Sequence, residues 1–175
     1  MHNGARSLLL AAMLAAFACG GGTDIDTQPT SPEKKEVVNQ STGLKVSATI
    51  AAATLGSSYA NVQIAFFASD ATSAAAVQIV SAELVDESSG AIDAVYSASN
   101  PQVWNGRSYE TWNEKVTPGG DLKASYQLKD NADPTGRGST ISYKATYRLK
   151  LTLRIDGADM TIESGQLQRE PEVAT

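Results

Sequence analysis

Between Gly43 and Arg169 apolar and polar residues alternate with a period of two. Val46, Ala48 and Ile50 stand between Lys45, Ser47 and Thr49, and Val62, Ile64 and Phe66 form the next run after a break at Gly56-Ser57-Ser58. Leu122, Ala124, Tyr126 and Leu128 alternate with Lys123, Ser125, Gln127 and Lys129. From Tyr143 to Ile155, every second residue is apolar, and Lys144, Thr146, Arg148, Lys150, Thr152 and Arg154 occupy the positions between. Successive side chains of an extended chain point to opposite faces, so this pattern predicts strands with one apolar and one polar face. At ~3.3 Å per residue the last run predicts a strand of roughly 43 Å. Asp86-Glu87-Ser88-Ser89-Gly90, Pro118-Gly119-Gly120 and Asp156-Gly157 separate apolar runs as turns, the last suited to a tight hairpin.

One segment is ambiguous. Across Ser69 to Asp86, Val77, Val80 and Leu84 recur at three and four, a helical spacing. The β-branched Val77, Ile79, Val80 and Val85, ending at a Ser-Ser-Gly turn, favour a strand over 76–86. About seven or eight strands in residues 43–169 predict an all-β domain, an antiparallel immunoglobulin-like β-sandwich. The sequence holds one Cys, so the inter-sheet disulfide of antibody domains has no counterpart.

The N-terminus has a different grammar. Arg6 precedes an unbroken apolar run from Leu8 to Ala18, 11 residues long. That length fits a signal-peptide core of ~7–15 residues and falls short of the ~20 needed to span a bilayer. The run ends in Ala16-Phe17-Ala18-Cys19, followed by three glycines. Ala16-x-Ala18 satisfies ordinary signal peptidase, which would release a soluble chain starting at Cys19. The Cys placed directly after a small residue also resembles the lipobox of bacterial lipoproteins, with Ala16 and Phe17 where that family has a branched aliphatic and a smaller residue. The resemblance implies a diacylglycerol on the Cys19 sulfur and cleavage just before it. Gly20, where the family's inner-membrane retention signal has Asp, implies the outer membrane in a two-membrane cell. A lone Cys in an exported chain needs a modification or an intermolecular partner, which favours the lipid.

The chain is thus expected to divide into a signal peptide (1–18), a lipidated Cys19 with a flexible linker (19–42), the β domain (43–169) and a disordered tail (170–175). The linker carries Pro, Ser, Thr and charge without an apolar period, and would reach roughly 25–30 Å as a coil. Removing the leader takes with it His2, the one histidine, and shifts the formal net charge from −5 to −6. An acidic chain is a poor nucleic-acid partner. Without His or a free thiol, Ser-His-Asp and thiolate chemistry are excluded and the usual metal ligands are missing. No cofactor, metal or catalytic residue is expected.

Candidate contact residues are Trp104, Tyr109 and Trp112, in the Pro/Asn/Gly-rich stretch from Asn100 to Asn113, and the basic stripe Lys144, Arg148, Lys150 and Arg154. Aromatic loops stack sugars or anchor proteins, but a loop folded over the domain end would plug the core with the same residues. The basic stripe would grip anionic lipid or an acidic partner, or else be a solvated sheet face paired with neighbouring acids. Asp130, Asn131 and Asp133 read as a solvated turn in a long hairpin loop rather than a calcium loop, and Glu110 with Glu114 defines no cleft. The expectation is a non-enzymatic envelope lipoprotein, held at the membrane through Cys19 and binding an envelope protein or glycan. A carboxylate-dependent glycan hydrolase and a structural subunit of an envelope complex are the alternatives.

Overall fold

A computed structural model describes residues 35–38, 45–69, 73–132 and 141–170. The leader, Cys19, most of the expected linker, Asp133 and the end of the tail lie outside the described residues. The strands are β1 (Lys35–Val38), β2 (Lys45–Leu55), β3 (Tyr59–Ser69), β4 (Ala75–Asp86), β5 (Ile92–Trp104), β6 (Tyr109–Thr111), β7 (Lys115–Val116), β8 (Asp121–Asp130), β9 (Tyr147–Ile155) and β10 (Ala158–Glu163). They pair antiparallel in the order β1-β2-β3-β8-β5-β4-β9-β10, with β6 added beside β5 and β7 beside β4. β10 returns to lie near β1 and β2, so the sheet is nearly closed and barrel-like. The all-β, antiparallel expectation is met. The pairing nevertheless follows one continuous path, where an immunoglobulin-like sandwich has two separate sheets.

The described strands carry four register shifts, and three of them, in β2, β4 and β5, reverse the facing of the residues beyond them as the sheet folds over on itself. Each inserts an extra residue in one strand, which bends that strand and sharpens its twist. Each also switches which parity of residue faces the core. In β2 the core residues are Val46, Ala48 and Ile50 before the shift at Ile50/Ala52, then Leu55 after it. In β4 they are Ala75 and Val77 before the shift at Ile79/Ser81, then Ala82 and Leu84. Val80 sits in that bulge and is 43% exposed. The helix-like spacing of this segment is therefore the signature of a bulged strand. β4 spans the expected 76–86 with one residue more at its start.

The expected 13-residue strand is shorter than its alternation suggests. β9 begins at Tyr147, and nine residues make roughly 30 Å. Before it, the chain turns back. The Tyr147 hydroxyl accepts the Ser142 N–H at 2.9 Å, and Arg169 stacks 4.0 Å over the Tyr143 ring while donating to the Ile141 carbonyl at 2.9 Å. The Arg169 backbone bridges Leu55, and the Glu170 N–H bonds the Leu55 carbonyl at 2.8 Å. The C-terminal strap thus links the start of β9 to the far end of β2. Asp156-Gly157 forms the expected tight hairpin between β9 and β10, with both residues at positive φ (47° and 85°), as a type I′ turn requires.

Two other expectations are corrected. Lys35–Val38 falls within the expected linker, but its backbone pairs with Lys45–Ala48 of β2. The Asp130-Asn131 segment does not lie in a hairpin, because β8 lies between β3 and β5 whereas β9 lies between β4 and β10.

The core is a single cluster fed from all the long strands. Its largest fully buried side chains include Tyr147, Phe66, Ile64, Leu128, Leu151 and Ile162.

Candidate functional site

The outer surface has a face of ion pairs on β4, β9 and β10 and, between Lys123 and Lys129 on β8, a patch of uncharged side chains. On β4, β9 and β10 the polar face carries ions. Arg154 makes a bidentate pair with Asp159 across the β9–β10 hairpin at 2.7 and 2.9 Å. The bond lowers the Asp159 pKa and raises that of Arg154. Lys150 approaches Glu83 at 3.9 Å, and Arg148 bonds Glu87 directly. Such exposed pairs contribute little to stability, because solvent screens them and both side chains lose freedom. The depression of about 600 Å³ over this face places Arg148 and Lys150 among the carboxylates of Glu83, Asp86, Glu87 and Glu163. Asp86 accepts hydrogen bonds from both serines of its turn, chiefly from the Ser88 hydroxyl, and these hold its carboxyl below the usual range. The three strand cations of the basic stripe thus each face an acid across the sheet. Lys144 lies on the preceding turn, off the strand.

The aromatic trio is divided by the fold. Trp112 is 6% exposed, its ring centroid 5.6 Å from Phe66 and 6.1 Å from Tyr126. Its indole N–H donates to the Lys115 carbonyl at 3.2 Å and its backbone N–H to the Pro101 carbonyl at 2.9 Å. Trp112 is thus a core plug, one of the two roles expected of this stretch. Trp104 and Tyr109 are 50% and 51% exposed. They are directly paired in the β5–β6 ladder, with ring centroids 5.2 Å apart in an edge-to-face arrangement. The turn joining them is stiff, because the Asn105 side-chain oxygen accepts the Arg107 and Ser108 N–H groups at 2.9 Å each.

The third bulge aims this pair outward. Ser99 pairs with Gln127 and Gln102 with Ser125, so β5 carries one residue more than β8 between those points. Asn100 takes up the extra length at φ 53°, a left-handed conformation that Asn tolerates better than most residues. Pro101, which lacks an N–H, falls beside it where no ladder bond is required. Beyond the bulge Val103 packs on the core, and Gln102 and Trp104 take outward positions.

Around the pair lies a run of uncharged polar side chains. Asn61 faces Gln127 and Gln63 faces Ser125 across the β3–β8 ladder, on the outward parity of both strands. A depression of about 350 Å³ is lined by these four, by Asn100 and Gln102, and by one side of Tyr109. A second, of about 580 Å³, continues past Trp104 to Asp121 and Lys123. Gln63 and Tyr109 line both. These amides are not among the residues expected from the sequence. Their signal was Asn61-x-Gln63 and Ser125-x-Gln127, uncharged residues at outward positions of two adjoining strands.

The remaining candidates are used by the fold. The Asn105 side-chain amide donates to the Glu110 carboxylate, and Glu114 accepts from the Tyr126 hydroxyl at 3.3 Å. Burial, and then Glu114, push the Tyr126 phenol well above its ordinary pKa. Burial does the same to Tyr96, with Asp130 beside it adding to the shift. Asp130 accepts the Ala132 N–H at 2.8 Å, and Asn131 accepts from the Ser97 hydroxyl at 2.6 Å. Among the described residues no three His, Cys, Asp or Glu side chains gather as a metal site. Compared with known protein families and with curated proteins, the chain matches none.

Proposed function

We propose that the chain is an exported lipoprotein, held at the membrane through an acylated Cys19, and that its β domain is a non-enzymatic binding module of the cell envelope. The observation that carries the binding role is the contrast between two parts of the surface. The strand cations on β9 are paired with acids, whereas β3, β5, β6 and β8 present two half-exposed aromatic rings beside a concave patch lined by uncharged side chains. Trp and Tyr on a rigid hairpin offer large contact area with little ordering cost, and concave sites with a few convergent polar groups are where ligands bind. The Cys19-terminated leader and the linker supply the anchoring part of the reading.

Removing the lipid separates the two parts. The Cys19→Ser chain is expected to sediment with washed envelope fragments from the native cell, and a Trp104→Ala/Tyr109→Ala variant of it to stay in solution. A Cys19→Ser chain that remains soluble, or a double variant that sediments equally, contradicts the binding role.

A further inference from the structure

We infer that the uncharged patch is a binding site for a neutral glycan, seated between the Asn61/Gln63/Gln127 amides and the Trp104–Tyr109 pair. The inference rests on the binding-module reading and names the ligand class of that same site.

Chemistry selects the class. None of the residues lining the smaller depression carries a charge. A phosphate, uronic acid or nucleic acid backbone would call for Arg or Lys there, since strong anion recognition uses charge-assisted bonds. The primary amide is the uncharged side chain with two donor hydrogens and two acceptor lone pairs. A sugar hydroxyl likewise both donates and accepts, so neighbouring hydroxyls of one ring match a pair of amides. Here the amides form a two-dimensional array. Asn61 and Gln127 are cross-strand partners, Gln63 is two residues along from Asn61, and Gln102 faces Ser125 from the other side of β8. Neighbouring strands lie ~4.8 Å apart, so the array has the dimensions of a sugar ring and its substituents. The indole and phenol rings border it, and the apolar face of a pyranose stacks on such rings.

A protein partner is the weaker fit. The central patch of a protein interface is enriched in apolar and aromatic residues and flat enough to bury ~800 Å² per partner. This face has its aromatics at one border and amides at its centre. Gln63 and Tyr109 line both depressions, which makes a groove long enough for more than one sugar unit. Asp121 and Lys123 mark its end with opposite charges, leaving the groove without a net sign.

The two tryptophans supply the test, because one is exposed and the other is buried. Mature lipidated chain in a zwitterionic detergent without a sugar headgroup is titrated with cellohexaose, mannohexaose, chitohexaose and, as an acidic control, hexagalacturonate, reading tryptophan emission and calorimetric heat. At least one neutral hexamer is expected to give a saturable change. Trp104→Ala and Gln63→Ala should each weaken its binding roughly tenfold. Arg154→Ala, on the ion-paired face, should leave it unchanged, and added salt should have little effect. A site that answers only to the acidic hexamer, or affinity untouched by both groove variants, overturns the inference. So does silence toward every neutral hexamer. If that silence accompanies Trp104-dependent sedimentation of the Cys19→Ser chain with envelope fragments, the binding module stands and only its ligand class falls. If sedimentation is absent too, both fall.

Discussion

Replacing Trp112 with alanine is expected to lower the stability of the domain by about 3–5 kcal/mol, the range for truncating a large buried aromatic. The side chain is almost fully buried between Phe66 and Tyr126, so its removal leaves a cavity that two rings on different strands must line. The Lys115 carbonyl also loses the indole donor. The segment it holds is itself a latch. Just after Trp112, the Glu114 carbonyl accepts the Val77 N–H at 2.8 Å and Lys115–Val116 pairs with Ala75–Ala76. Domains of this size are stable by only ~5–15 kcal/mol, so the loss is a large share of the whole. Urea unfolding of Trp112→Ala beside Trp104→Ala makes the comparison. The exposed Trp104 should move the midpoint little, within about ±0.5 kcal/mol. Equal losses from both would contradict the division of labour between the two tryptophans.

Replacing Asn100 with valine is expected to cost about 1–2 kcal/mol, because the residue holds a left-handed backbone at φ 53°, where a β-branched side chain is strained. Asn100→Gly suits the positive φ and should cost little. The bulge sets two residues of β5, Asn100 and Pro101, against the one residue of β8 between Ser125 and Gln127. Deleting Asn100 therefore leaves Ser99 opposite Gln127 and Gln102 opposite Ser125 in an unbroken ladder, with Val103 still on the core and Trp104 outside. What the deletion removes is the local bend and twist that a bulge supplies. Equilibrium unfolding of the three variants reads these effects, and the emission of Trp104 should stay that of an exposed indole in all of them. A valine variant as stable as the glycine variant, or a deletion that buries Trp104, would contradict this account of the bulge.

The bulges mark where the sequence was legible and where it was not. Period two identified the cores of β2, β3, β8 and β9, because those stretches hold register with their neighbours over six or more residues. It faltered where an extra residue shifts the parity, as at Val80, where the result mimics a helical repeat. Tyr143 and Ala145 continue the alternation of β9 without continuing the strand. What stops it is the pinning of 141–146 by Arg169 and Tyr147, a long-range effect that no local pattern carries. The four residues of β1 read as linker because so short a strand has no period to show. The aromatic stretch is legible, but its division into buried Trp112 and exposed Trp104 and Tyr109 depends on Phe66 and Tyr126, distant in sequence. The amides of β3 and β8 escaped notice because outward polar positions look alike until the neighbouring strand is known. Cys19, the most specific residue in the sequence, lies outside the described residues and rests on its own chemistry.

That chemistry can be weighed. Each buried CH₂ of an acyl chain contributes ~0.8 kcal/mol, a single myristoyl chain binds membranes only reversibly, and two or more chains hold stably. The decisive measurement is the intact mass and detergent-phase partitioning of natively processed protein, wild type beside Cys19→Ser. The account predicts a chain beginning at Cys19 that carries added acyl mass and enters the detergent phase, with both properties lost in the variant. An unmodified chain, cleaved after Ala18 and remaining in the aqueous phase, would contradict it.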